Sequence, residues 1–404
     1  PGQDLEDVGQ SYFNELVNRG LIQPEQNYDR EVTGCRVHDM MLDLILSKCK
    51  EDNFISVAYS GEDYLSIARQ HGYSCNKVHR LSLQSKAAES DCTVLIEGKA
   101  TPAHLAQVRS ISLFGKSTSV LPLLLRFKYL RVLHIMLGYG CERADLTAVS
   151  KLLQLRCLIF LGYGYKVELP SRICGLVHLE TLEIACNVIT SIPLDIVSLP
   201  CLSDLRLPSC VKLNCLPNSK SLRTLHICPP PDMDFKALGE LTNLRELHLY
   251  FDRKESSTAS SLDSLGSSIG KLQNLRYLEI YLLSDISIDG LLGSLSDFPR
   301  SIEILYLRNC PFTRVPIWIN AALVNLRRLH LFVSEACTDE SRLGFQAGVM
   351  PKLQRLQLWF WLCELGIDTA PVGMEHLSSL QLIHVLIVLA PEKRNVYPRD
   401  AVEH

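Results

Sequence analysis

Downstream of residue 77 the apolar residues fall into a recurring six-residue frame: apolar at the first, fourth and sixth positions, variable between. It begins with VHRLSL at 78 and VRSISL at 108, and continues with LRVLHI at 130, LRCLIF at 155, LETLEI at 179, LSDLRL at 202 and LRTLHI at 222. LRELHL at 244, LRYLEI at 275, IEILYL at 302, LRRLHL at 326, LQRLQL at 353 and LQLIHV at 380 complete thirteen copies, spaced 20 to 31 residues apart. Alternation with period two is the signature of a strand, so the fourth and sixth residues face one side and the third, fifth and seventh the other. One such strand cannot bury its apolar face alone, whereas stacked copies share a continuous core. Parallel stacking at ~4.8 Å per step gives a curved ribbon roughly 60 Å long.

The spacing is that of a leucine-rich repeat, whose period is roughly 20–29 residues, with insertions in the longest intervals. The segments LPSRI (169–173), IPLDI (192–196) and VPIWI (315–319) predict short irregular or helical returns between strands. The asparagine usual at the ninth position occurs only as Asn187, with Cys210 and Cys310 as substitutes, which predicts an irregular solenoid. The expected architecture is α/β: a leucine-rich-repeat horseshoe over residues 78–390, with its parallel sheet on the concave face. A small α-rich unit over 1–60, a linker over 61–77 and a tail over 391–404 complete it.

In the first unit, Leu5, Val8, Tyr12, Leu16, Phe13 and Val17 recur at helical spacing, and Gly20 is a stop signal. VTGCRV (32–37) reads as a strand. Residues 40–49 read as a second helix with Met41, Leu44, Ile45 and Cys49 on one face and Asp39 at the N-cap. Helix, strand and helix at this length predict a winged helix. Such a unit can read DNA, but residues 1–60 hold eleven acids against five bases, and the second helix opens with Asp39 and Asp43. Phosphate binding needs the opposite sign, so no nucleic-acid partner is expected.

The chain of 404 residues has a formal charge of −3 and fifteen cysteines with neither C-x-x-C nor zinc-finger spacing. No stretch is apolar enough to span a bilayer, and no N-x-S/T sequon or signal-peptide core occurs. These features point to a reduced compartment, the cytoplasm first and the nucleus second. No catalytic constellation emerges, so an enzyme is not expected. GKS at 115–117 lacks the first glycine of a P-loop and lies within the second repeat, so no cofactor is expected in this chain.

Partner choice is expected on the outward positions, where aromatics gather from the eighth repeat onward: Tyr250, Tyr277, Tyr281, Tyr306, Phe332, Trp359 and Trp361. Exposed aromatics are typical interface anchors. His134, His226, His248, His330 and His384 share the fifth position. With no carboxylate or cysteine at that position beside His226 and His248, they predict a solvated polar row rather than a metal site. Seven arginines hold the second position, Arg109, Arg131, Arg156, Arg223, Arg245, Arg276 and Arg327, either as solvated heads or as a basic docking stripe.

LEDVGQSYFNELVNRGLIQP followed by CRVHDMMLDLIL resembles the winged-helix subdomain of plant intracellular nucleotide-binding leucine-rich-repeat immune receptors of the coiled-coil class. The family's Met-His-Asp motif reads Val37-His38-Asp39 here, with valine in the methionine place. IGKLQNLRYLEI (269–280) and the L-P-x-x-I segments are also similar to that family's repeats. The resemblance implies that His38 senses the β-phosphate of ADP and that Asp39 positions the backbone, both only together with a nucleotide-binding (NB-ARC) core outside this chain. It implies ADP/ATP switching in the intact receptor and a concave face that meets a pathogen effector or a guarded host protein. Oligomerisation of the activated receptor, defence signalling and hypersensitive cell death are further implications. The competing expectation is a generic repeat scaffold such as a ubiquitin-ligase substrate adaptor, which would need an F-box-like unit at the front.

Overall fold

The computed structural model describes residues 5–26, 32–52, 54–59, 63, 79–84, 107–115, 118, 121–140, 143–189, 193–213, 215–217, 219–230, 233–251, 259–282, 298–310, 323–333, 343–362 and 371–389. The expected linker, apart from Asp63, the expected tail and VPIWI lie outside them.

The first unit is α1 (Leu5–Asn18), β1 (Ile22–Gln26), β2 (Val32–Val37) and α2 (Asp39–Glu51). α1 stops where the sequence says it should. Gly20 takes φ +68, and Leu21 N donates to Leu16 O while Gly20 N donates to Val17 O, the paired bonds of a Schellman end. β1 and β2 form a two-stranded antiparallel sheet, with Ile22 opposite Val37. β1 has no counterpart in the sequence reading, because IQPEQ neither alternates nor avoids proline. In a two-stranded pair every strand is an edge, and an edge tolerates Pro24.

Among the described residues the second sheet has fifteen strands. Its path runs β3 (Ser56–Ala58), β4 (Arg80–Gln84), β5 (Ser110–Gly115), β6 (Val132–Leu137), β8 (Cys157–Glu168), β9 (Thr181–Ile189) and β10 (Asp204–Arg206). It continues with β11 (Thr224–Ile227), β12 (Glu246–Phe251), β13 (Tyr277–Leu282), β14 (Ile304–Arg308), β15 (Arg328–Val333), β16 (Arg355–Leu362) and β17 (Leu382–Leu389). β7 (Arg143–Asp145) pairs with the far end of the long β8. Each of the thirteen sequence frames supplies one strand, and every pairing is parallel.

One boundary moves. The sheet starts at β3, inside the stretch expected to belong wholly to the first unit, because Ser56–Ala58 pairs with Leu81–Leu83. Three residues are too few to display the six-residue frame. The Arg80 guanidinium also lies 4.0 Å from the Phe54 ring centroid, on the same seam.

The first, fourth and sixth positions build the core. Leu130, Leu133 and Ile135 are fully buried, as are Leu244, Leu247 and Leu249. The last copy departs from this: Ile383 and Val385 are about half exposed, at 48% and 50%, since β17 ends the described sheet. Successive repeats are tied by a shared acceptor. The second- and third-position amides both donate to the second-position carbonyl of the preceding repeat, as Arg245 N and Glu246 N do to Arg223 O. The asparagine ladder is present but displaced. Asn243, Asn274 and Asn325, each immediately before a frame, donate from Nδ2 to Lys220 O, Thr242 O and Arg300 O. Cys310 works as the expected substitute, with its Sγ 3.3 Å from Ile280 O.

Among the described residues the returns include 3-10 turns at Leu121–Arg126, Thr147–Lys151, Leu194–Ser198, Phe235–Glu240 and Met374–His376, and an α-helix, α3 (Ala259–Lys271), in the longest interval. Gly115 lies in β5 opposite Leu137 and is thus part of the sheet rather than of a phosphate loop.

Candidate functional site

The first candidate is the start of α2. His38, not Asp39, is the N-cap: its backbone is extended (φ −61, ψ 142) and its carbonyl accepts from Leu42 N at 2.8 Å. Asp39 is the first helical residue, where its charge favours the positive end of the helix. No side chain caps the helix. The His38 Nε2 lies 3.4 Å from Gln23 Nε2, so β1 steadies the imidazole. Both His38 and Asp39 are exposed. α2 buries none of its residues: Met40, Leu42, Leu44 and Ile45 are all exposed, as are Tyr12 and Leu16 of α1.

The second candidate is the outward face of the sheet. In-register stacking carries the fifth-position side chains into one row: Arg206, His226, His248, Glu279, Tyr306, His330, Gln357 and His384. The expectation of a solvated histidine row is corrected here. His248 and Glu279 are each 8% exposed and His330 is fully buried. Rings account for this. His226 and His248 lie 3.5 Å apart between centroids, His248 stacks on Tyr277 at 4.5 Å, Tyr306 meets His330 edge-on, and His330 leans on Trp359 at 5.0 Å.

At the centre sits a buried carboxylate. Glu279 accepts from His248 Nδ1 at 2.9 Å and from the Tyr277 hydroxyl at 3.0 Å, and pairs with Arg308 Nε at 2.8 Å. Burial works against its charge, but the bonds from His248, the Arg308 cation and Tyr277 hold its pKa below the ordinary glutamate value. His226 goes the other way: burial, then His248, then Arg206 push its pKa far down, so the imidazole is neutral. Burial raises the Tyr250 phenol, with Glu279 adding to it.

The expected aromatic anchors divide. Tyr250, Tyr277, Tyr281 and Trp359 are partly exposed, with Tyr250 and Tyr281 rings 6.1 Å apart on neighbouring strands. Tyr306 and Phe332 are 4% and 3% exposed, which removes them as exposed anchors. Tyr306 is enclosed by Tyr277, His330 and the Arg308 guanidinium, while Phe332 sits opposite Trp359 in the sheet. Trp361 lies in β16, but its side chain is outside the description.

The sequence reading also missed Glu246. It occupies the third position, two residues before His248, and its carboxylate joins the His226 and His248 nitrogens within 4.8 Å. Strand period two puts positions three and five on the same face, so the two positions read together carry the signal that the fifth alone lacks. The arginine stripe is interrupted by acids at its own position. Glu180 pairs with Arg156, and Glu303 lies between Arg276 and Arg327.

A parallel one-strand-per-repeat solenoid behind a helix–hairpin–helix unit defines a leucine-rich-repeat protein with a winged-helix front. Residues 107–340 match the leucine-rich repeat region family and residues 1–45 match the disease resistance protein winged helix domain. The chain belongs to the leucine-rich repeat family, and with its winged helix to the plant disease resistance proteins. Among its relatives is the disease resistance protein RGA5 of Oryza sativa subsp. japonica, 30% identical over 439 residues, covering 94% of this chain and 38% of that protein. Pik-2 of the same plant is 33% identical over 200 residues, 49% of this chain and 18% of that protein. The RPP8-like protein 3 of Arabidopsis thaliana is 26% identical over 397 residues, again 94% and 38%. The chain thus spans less than two fifths of the length of these relatives. No helix among the described residues is long and apolar enough to cross a membrane.

Proposed function

We propose that this chain is the sensing and switching end of a cytoplasmic plant immune receptor, and that its work is binding rather than catalysis. The concave sheet engages a pathogen effector or a guarded host protein through Tyr250, Tyr277, Tyr281 and Trp359. The winged helix docks on a nucleotide-binding core and holds ADP through His38. The observation that carries this reading is the uncovered apolar surface of α1 and α2 beside an imidazole at an uncapped helix start. Free N–H groups at a helix start suit a phosphate, and an imidazole adds a donor.

The switch follows as an equilibrium. Contacts made only in the ADP-bound state favour the closed receptor, and losing them shifts the population to the open one. Asp39→Val or His38→Ala in the full-length receptor is expected to trigger cell death without effector in a transient leaf assay; quiet variants at normal protein levels would overturn the assignment. Tyr250→Ala, Tyr281→Ala and Trp359→Ala together should abolish recognition while leaving the autoactive Asp39→Val response intact. This chain alone should bind ADP and ATP negligibly in calorimetry, because it contributes a single imidazole and no phosphate loop.

A further inference from the structure

The concave row holds one arrangement that the immune reading does not use. His226, Glu246 and His248 each bring one ligand atom to within 4.8 Å of the other two, on two adjacent strands, β11 and β12. Two imidazoles and one carboxylate are the donor set of open zinc sites, in which a fourth position is left to water or an incoming group.

In the neutral imidazole the tautomer of His248 follows from its partner. A carboxylate can only accept, so the Nδ1 of His248, 2.9 Å from Glu279 Oε2, carries a proton, and its Nε2 is left as the lone-pair nitrogen. That carboxylate–histidine pair is the outer support that metal-bound imidazoles commonly have. Glu279 is itself anchored by Arg308 and Tyr277. On the neighbouring strand the His226 Nε2 is buried without a hydrogen-bond partner, a neutral nitrogen with nothing to bond. The two imidazole rings lie side by side, centroids 3.5 Å apart, so both can address one point between the strands.

We propose that His226, His248 and Glu246 form a binding site for a borderline divalent cation, zinc foremost, on the concave face, with Glu279 as the positioning carboxylate behind His248. Imidazole and carboxylate together select zinc-like ions over calcium or magnesium, which take oxygen alone. Arg206 is the opposing element. Its Nη2 sits 3.5 Å from Glu246 Oε2, so the guanidinium must leave the carboxylate when the cation arrives. This assignment concerns the chain's own chemistry and stands or falls separately from the immune reading.

The test is a cobalt(II) titration of the chelator-stripped chain followed by absorption, because cobalt reports its own ligands. The expected result is one equivalent bound with the d–d bands of a nitrogen–oxygen site, no thiolate charge-transfer band, and displacement by zinc. Glu279→Gln should weaken binding by about 10-fold, and His226→Ala, His248→Ala and Glu246→Gln by more than that. Arg206→Met should tighten it. Histidine side-chain NMR of the unaltered chain on adding zinc gives a reading independent of how the variants fold, with the two Nε2 resonances expected to move. Absence of that movement, a thiolate spectrum, or equal cobalt affinity in the unaltered chain and a folded His226→Ala/His248→Ala double variant would each overturn the proposal.

Discussion

Two helices of thirteen residues, α2 and α3, differ in what their amphipathic faces find. α3 lays Leu265 and Ile269, both fully buried, against the 3-10 turn of the preceding return, where Gly239 leaves room for the Lys271 side chain. α2 presents Met40, Leu42, Leu44 and Ile45 to solvent and buries nothing. The same contrast runs through the two units. In the solenoid each repeat supplies the surface its neighbour needs, so interior repeats such as those at Leu130 and Leu244 are buried without outside help, while the last described strand is left half exposed. In the winged helix a two-stranded hairpin and two helices cannot cover one another, and the leftover apolar surface has the character of an interface.

The sharpest way to break that contrast is a pair of matched truncations. Leu247→Ala, at a fully buried ladder position, should cost about 3 kcal/mol of unfolding free energy in chemical denaturation. Leu44→Ala, at a residue 51% exposed, should stay within about 0.5 kcal/mol in this chain. Equal costs would mean that α2 is covered in solution and the contrast is wrong.

Charge gives the next test. Glu279→Gln leaves Arg308 and His248 facing a neutral amide inside the row, and should cost about 2 kcal/mol. Arg36→Ala removes an ion pair to Glu25 whose side chains are 75% and 50% exposed, and should change the denaturation midpoint little.

Side-chain bonds to free backbone amides separate the units by a smaller margin. The carboxylate of Asp195 accepts from Ile173 N and Cys174 N of the preceding repeat, so Asp195→Ala should cost about 1 kcal/mol. His38 caps α2 without a side-chain bond, so His38→Ala should leave this chain's melting temperature unchanged.

The smallest expected effect is a labelling rate. A hydrogen bond from Cys186 draws the exposed Cys210 thiol down to about 7, whereas one to Asp195 raises the exposed Cys174. Iodoacetamide at neutral pH should therefore modify Cys210 several-fold faster than Cys174, because the thiolate is the nucleophile. Labelling of Cys210 should accelerate as pH rises through about 7, as its thiolate fraction grows. Cys186→Ala should remove that advantage.

Much of the architecture could be read directly from the chain. The six-residue frame marks a strand by period two and a repeat by its recurrence, and both are local properties, so all thirteen frames became strands. α1 ended at Gly20 for a reason equally local. β1 and β3 escaped notice because a two-stranded edge accepts IQPEQ and a three-residue strand carries no period. In both cases the pairing partner, not the segment, decides the conformation.

Side-chain fate on the concave face belonged to the tertiary level. Position in the frame told which way Tyr306, Phe332 and His330 point, but neighbouring strands ~4.8 Å away decided that rings would pack on rings and shut out water. The same in-register stacking set His226 beside Glu246 and His248, twenty and twenty-two positions and one return further along the chain. Sequence period fixes direction along a single strand; exposure and ligand proximity depend on what the adjacent strands bring, and that is known only once they are in register.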